Sequence, residues 1–380
     1  MNASRVCARK PSAVSGISSQ AGLSLIELMI AIALGLVLTL GVVQIYLSGS
    51  QTYRQNQGFA HAQESARFVS AVLTPELRSA GSFGCLAEMG LPFDQVVNNR
   101  LNGILPVPLQ EAIQGWEFTG TAPGDAITLA DAIATPDADQ WDSGTGGADL
   151  PADLAGRALT GSDVIIINSI TSINIAVDSA NPQGNSSTIN LEANSGVPAG
   201  RIILATIDDC SRGELFQKSN APNESSVFMG GVNNNPGPGN DSDEFNLNYD
   251  SETRVHEFTS MAYYIGEGTN GEPALFRRLM LPLQDPQELV SGVETLQILY
   301  GVDTNATRGA DDYIPADEVD DWGSVVSVRF SAMTRSPENV LDVANNRNFE
   351  MLGSEISQGN NADRRARLIS ISTTAFRGRM

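Results

Sequence analysis

The sequence predicts an α+β fold: a long N-terminal α-helix, half transmembrane and half amphipathic, packed on an exported domain of antiparallel β-sheet. Three observations carry this. From Leu23 to Leu47 the chain is apolar almost without interruption. From Phe59 to Ala80 apolar residues recur at spacings of three and four, the period of a helix that buries one face. Beyond Cys85 that period gives way to short β-rich runs separated by polar, turn-forming stretches.

The apolar run comes first. As a helix, the run Leu23–Leu47 extends ~37 Å, against a hydrocarbon core of ~30 Å, so it is long enough to cross a bilayer. It is too long for the apolar region of an ordinary cleaved secretory signal. Arg5, Arg9 and Lys10 precede it and no acidic residue does, so the positive-inside bias keeps the N-terminus in the cytoplasm and exports the rest. With 44 acidic against 23 basic residues and a net charge of -21, the chain lacks the cationic face that nucleic-acid binding requires.

One carboxylate, Glu27, interrupts the run. A charge inside a membrane helix costs on the order of 3 kcal/mol near the centre and less toward the end, so it calls for a partner. A plain signal anchor leaves it unexplained. A cut between Gly22 and Leu23 creates that partner, because the new α-amino group is a cation at the head of the helix. A staggered neighbouring helix brings its own amine beside the carboxylate, and the charge then sets the register of assembly.

The stretch "AGLSLIELMIAIALGL" resembles the class III signal of type IV pilins and pseudopilins: a short basic leader ending in glycine, a hydrophobic first mature residue, then a glutamate as the fifth. The family usually has Phe at the first mature position, and here Leu23 stands there. The resemblance implies prepilin peptidase cleavage between Gly22 and Leu23, N-methylation of Leu23 and a role for Glu27 in subunit docking. The blocks "QTYRQNQGFAHAQESARFVSAVLTPELRSAGSFGC", "DDCSRGELFQ", "ELVSGVETLQILYGVDT", "DDWGSVVSVRFSAMTRS" and "RRARLISISTTAFRGR" are similar to PilW-type minor pilins. This implies a leader at 1–22, an assembly helix at 23–47, its amphipathic continuation at 48–80 and a β-rich periplasmic domain at 81–380.

In the amphipathic half, Phe59, Ala62, Ala66, Val69, Leu73, Leu77 and Ala80 form one stripe, with Arg54, Gln63, Glu64 and Arg67 elsewhere. Pro75 predicts a kink or a new helix start capped by Thr74. Gly35 and Gly41 weaken the span, permitting local extension or close helix packing. The strands expected are "DVIIINSI", "INIAV", "RIILATI", "VHEFTSMAYYIG", "ALFRRLML", "VETLQILYGV", "VVSVRFSAM" and "RLISISTT". Alternation at Leu296, Ile298 and Tyr300, and at Ile369 and Ile371, predicts one packed face and one wet face. The polar stretches around residues 134–156, 178–196 and 230–246 are expected to be loops.

Of three cysteines, Cys7 precedes the span, and only Cys85 and Cys210 reach an oxidising compartment. A disulfide between them is favoured over a zinc site, because no CxxC spacing accompanies them and there are only two histidines. It would tie the end of the helix to a strand near mid-chain. "GEGTNG" at 266–271 satisfies GxGxxG, but Pro273 and a strand follow where a helix must open, so a hairpin turn is expected. "DTNATRGADD" at 303–312 resembles a calcium loop yet has Arg308 and Ile314 where that loop needs Gly and Glu, so a solvated turn is expected. His61 and His256 stand outside any nucleophile motif. No catalytic, cofactor or metal residues are assigned.

The resemblance thus implies a non-enzymatic minor pilin that helps initiate the type IV pilus. Its expected partners are other minor pilins, the major pilin, prepilin peptidase and the inner-membrane assembly platform. It would be a single-pass inner-membrane protein with a periplasmic domain, and also a pilus component. The alternatives are a minor pseudopilin of type II secretion and a membrane-anchored periplasmic binding protein or enzyme.

Overall fold

The computed structural model describes residues 22, 24–89, 93–102, 109, 111–129, 138–145, 147–179, 181, 186–231, 237–307, 309–358 and 363–377. The leader residues 1–21, Leu23 and Arg308 lie outside them. The chain divides into two compact units, residues 1–53 and 54–380.

Helix α1 (Leu25–Ser79) is continuous through Gly35, Gly41 and Pro75. Pro75 therefore does not begin a new helix. Ala71, whose carbonyl loses its i+4 donor to the proline, is exposed. Two four-residue helices follow, α2 (Phe93–Val96) and α3 (Ala152–Ala155).

The strands are β1 (Val97–Asn99), β2 (Ile113–Phe118), β3 (Ala126–Thr128), β4 (Trp141–Asp142), β5 (Val164–Ser172) and β6 (Thr188–Asn190). Next come β7 (Ile202–Thr206), β8 (Gly213–Gln217), β9 (Ser226–Phe228), β10 (Arg254–Glu267), β11 (Pro273–Leu281) and β12 (Gln287–Ser291). The last are β13 (Val293–Val302), β14 (Asp312–Ile314), β15 (Val325–Asn339), β16 (Phe349–Met351), β17 (Ser354–Ser357) and β18 (Arg365–Ala375).

The largest sheet runs β1-β8-β7-β10-β5-β2-β4, with β11 and β12 added beside β10. A four-stranded, wholly antiparallel sheet runs β14-β13-β15-β18. Smaller sheets are β16-β17-β3 and β6-β9. The only parallel pairs among the described strands are β1 with β8 and β17 with β3. This is α+β architecture with mainly antiparallel sheet.

Within residues 54–380, the helix lies on the four-stranded sheet. Val69, Leu73, Leu77 and Ala80 share a core with Ile298, Tyr300, Val328, Phe330 and Phe376. Strand β5 is buried on both faces: Ile165 and Ile167 join this core, while Val164 and Ile166 join a second one around Trp116, Leu204 and Phe258.

Four local expectations need correction. Phe59 is 45 % exposed, and Gly58 takes its place against the sheet. A Cβ there would lie 2.8 Å from Val340 Cγ2, an approach too close for a side chain as large as phenylalanine. Strand β13 is buried at all ten positions, because the segment at Gly161 covers its second face and accepts from Thr295 Oγ1 and Gln297 Nε2. Residues 173–177 form no named strand, only a bridge from Val177 to Leu191. The polar stretches contain short strands and buried anchors: Trp141, Leu154, Ile189 and Phe245 are each less than a tenth exposed. Spaced singly among turn residues, these anchors escape a period-based reading.

Candidate assembly site

The helix opens with the sequence Ser24-Leu25-Ile26-Glu27, and the N–H of Ser24 donates to Glu27 Oε2 at 3.1 Å. This is one half of a capping box, in which the N3 carboxylate satisfies the backbone donor of the N-cap residue. The helix dipole adds to it, since a negative charge in the first turn faces the positive end. Glu27 thus has a partner within its own chain, one that the spacing S-x-x-E already signalled. Gly22 is exposed next to this turn, and Leu23 lies outside the described residues.

From Leu25 onward the helix presents apolar side chains on every side. Its most apolar 18-residue stretch has a mean hydropathy of 2.5 and no buried residue, so it is long and apolar enough to cross a membrane. Among the described residues, nothing beyond the helix's own neighbouring backbone lies within 4 Å of a Cβ built at Gly35 or Gly41. Thr39 Oγ1 bonds back to Gly35 O at 2.7 Å and Thr52 Oγ1 to Ser48 O at 3.0 Å, so these hydroxyls are satisfied without a second chain.

The second half of the helix is fixed by polar bonds as well as packing. Thr334 Oγ1 donates to Ala62 O at 2.9 Å, and the hydroxyls of Ser70 and Ser372 lie 3.3 Å apart. Where the helix ends, Gly81 (φ 65°) turns the chain and its N–H bonds Asn168 O at 3.0 Å. A Cβ at Gly81 would meet Ala112 Cβ at 2.7 Å. Positive φ and close approach together demand glycine there. Phe83 follows, 4.7 Å from Phe93 between ring centroids, in the second core.

A disulfide joins Cys85 to Cys210, with Cα atoms 5.7 Å apart and a sequence separation of 125. Cys85 lies in the turn just beyond the helix. Cys210 lies in the β7–β8 hairpin loop at φ 57°, outside either strand. The bridge therefore holds the chain leaving the helix against a hairpin turn.

The remaining candidates resolve into local structure. Gly266 and Glu267 end β10 and residues 268–272 form the β10–β11 hairpin turn, with Gly268 N–H bonding Glu272 O and Gly271 N–H bonding Gly268 O. In the loop from Asp303, Asp303 Oδ1 accepts from Asn305 and Thr307 N–H, and Asp311 Oδ2 accepts from Thr304. Both carboxylates thus serve their own loop, and Arg308 is outside the described residues. Among the described residues no group of three His, Cys, Asp or Glu is placed to hold a metal ion. His61 is exposed on the helix, and His256 is buried in β10, where burial and Arg254 hold its imidazole below the usual range.

Two charged clusters were not legible in the sequence. Glu117 and Asp163 are buried side by side: Asp163 accepts from Phe118 N–H at 3.2 Å and Ile298 N–H at 2.7 Å, and Glu117 from Thr121 Oγ1 at 2.8 Å. Burial pushes Asp163 up to about 7, and burial together with Asp163 pushes Glu117 well above its usual range. On the far face of the four-stranded sheet, Glu294 bonds Arg367 at 2.7 Å and Arg335 at 2.8 Å, and Glu272 bonds Arg335 and, at 2.7 Å, Arg365. These partners lie up to 93 residues apart in sequence, so no local motif marks them.

The apolar first half of the helix, which buries nothing among the described residues, carries the sequence motif of a type IV pilin-like protein. Residues 17–43 match the prokaryotic N-terminal methylation motif, which spans Gly22, Leu23 and Glu27. Residues 262–377 match the Type IV Pilus-assembly protein W family, PilW, from the middle of β10 to just past the end of β18. The chain is a component of type IV pilus assembly. No curated protein and no solved structure matches it.

Proposed function

We propose that this chain is a minor pilin that helps initiate the type IV pilus, with a structural rather than a catalytic role. Prepilin peptidase cuts between Gly22 and Leu23 and methylates Leu23. The exposed rod from Leu25 then anchors the protein in the inner membrane and later packs among the helices of other minor pilins and the major pilin. The domain beyond Gly81 faces the periplasm and contacts neighbouring subunits.

The observation that carries this reading is the pairing of a methylation motif with a helix whose apolar half has no buried residue among the described ones. Such an area needs lipid or other helices around it. Glu27 spends one carboxylate oxygen on Ser24, and its second, Oε1, has no partner among the described residues. In this reading Oε1 receives the N-terminal amine of the adjacent subunit.

Mass spectrometry of the native protein tests the processing. The expected N-terminus is N-methylated Leu23, and an intact leader ahead of Leu23 overturns the reading. A strain lacking the protein separates the pilus from a type II pseudopilus, since surface pili should be lost while secretion continues.

A further inference from the structure

Strand β18 is the last strand of its sheet and pairs only with β15 among the described strands. Phe376 N–H bonds Val326 O at 3.0 Å, and the register runs unbroken back to Arg367 opposite Arg335. Antiparallel alternation then turns the N–H and C=O groups of Ile369, Ile371 and Thr373 away from β15.

The side chains are reversed relative to a well-covered edge. Ser372 and Phe376 face the helix, and Ile371 stands 58 % exposed on the other face. Natural sheets guard such edges with proline, lysine, a bulge or a covering segment. The stretch from Arg367 to Ala375 has no proline, no lysine and no bulge. At its start the loop at Asn345 caps Arg365 O, so the unguarded length begins at Arg367.

Charge selects the occupant. Residues 364–377 hold Arg364, Arg365, Arg367 and Arg377 and no acidic residue, in a chain of net charge -21. Arg365 and Arg367 are consumed by Glu272, Glu294 and Asp363. Arg364 and Arg377 are exposed at the two ends and form no ion pair among the described residues. A second copy pairing antiparallel would set the Arg364 end of one chain against the Arg377 end of the other, which like charges oppose.

We propose that the free edge of β18 takes up an extended acidic segment of another pilus subunit, added as a fifth strand beside Ile369, Ile371 and Thr373. The main chain supplies the affinity, and Ile371 with the flanking arginines selects the segment. The identity of the donor as a pilus subunit rests on the function proposed above.

The test uses the full-length chain in detergent micelles and two synthetic nine-residue peptides, one alternating Glu with Val and one alternating Lys with Val. Hydrogen exchange at the amides of Ile369, Ile371 and Thr373 is the readout. The Glu peptide should slow it at least about tenfold and the Lys peptide should not. Ile371→Pro removes an outward N–H and no ladder bond, so it should abolish this protection and leave the melting temperature unchanged. Ile371→Glu, which keeps the strand backbone and sets a like charge against the Glu peptide, should weaken binding if the proline variant fails to fold.

Protection already present in the free protein, or equal protection by both peptides, overturns the proposal. Piliation by the Ile371 variants then separates the two readings. Peptide binding with normal pili leaves the acidic-strand site standing and removes the pilus subunit as its donor. Loss of pili supports both.

Discussion

Ser24 N–H and Glu27 Oε2 meet across 3.1 Å at the head of the helix, so the carboxylate that interrupts the apolar run caps its own first turn. Two roles for Glu27 now compete, cap and inter-subunit partner, and they respond differently to substitution. A glutamine at N3 still accepts from Ser24 N–H but carries no charge, whereas alanine does neither. If the charge serves assembly, Glu27→Gln and Glu27→Ala should both insert normally and both lose surface pili, at least about tenfold by shearing and counting. Normal piliation in Glu27→Gln with loss in Glu27→Ala would assign Glu27 to the cap alone.

The bridge from Cys85 to Cys210 closes a loop of 125 residues, which by chain entropy restricts the unfolded state by about 5 kcal/mol, often less in practice. It pins the segment just after the helix. Cys85→Ser with Cys210→Ser should therefore lower the melting temperature markedly. Limited proteolysis should show new cleavage near the end of the helix, in the double variant and in reductant-treated native protein alike. Unchanged proteolysis would mean that the packing around Phe83 holds this junction unaided.

Much of this was legible in the sequence, and the exceptions share a cause. The helix and the long strands β5, β10, β13, β15 and β18 follow from period and composition, and the methylation motif follows from the resemblance of "AGLSLIELMIAIALGL" to pilin signals. Phe59 and Ile371 are exposed where alternation and period predict packing, because periodicity names a stripe without saying which residue the partner element admits. At Phe59 the backbone approach at Gly58 decides, and at Ile371 the helix takes the serine face of β18. Two-residue and three-residue strands such as β4 and β16 carry too few side chains to show a period. Glu27 stands out in the apolar run as an anomaly of charge. Its local partner Ser24 was equally visible, as the first residue of S-x-x-E.

The buried pair Glu117 and Asp163 makes stability depend on pH. Burial raises Asp163 to about 7 and Glu117 well above its usual range, with no cation beside either among the described residues. Groups raised in the folded state favour folding while protonated. Their contribution is fully present below the unfolded values near 4 and is lost as pH rises through about 7. The melting temperature should accordingly fall between about pH 5 and pH 8. Glu117→Gln keeps an acceptor for Thr121 and removes one ionisation, so it should flatten that fall. A melting temperature that climbs over this range in the native protein would contradict the assignment.

Arg367 has a side chain with no solvent exposure and Glu294 one of 5 %, and their pairing crosses from β18 to β13 over β15, where Arg335 joins the same carboxylate. Removing Glu294 leaves two guanidinium groups facing each other without their shared anion. Breaking a buried pair from one side costs about 3–5 kcal/mol, whereas replacing both partners with apolar groups of similar size is often neutral. Glu294→Leu and Arg367→Met should each destabilise strongly in denaturant unfolding. The double variant should lose less than the sum of the two, by a coupling of at least about 1 kcal/mol. Strict additivity would show that Asp363 and Gln358, which also bond Arg367, hold the arginine without Glu294. Added salt should change none of these values greatly, because a pair this deeply buried lies beyond the reach of screening ions.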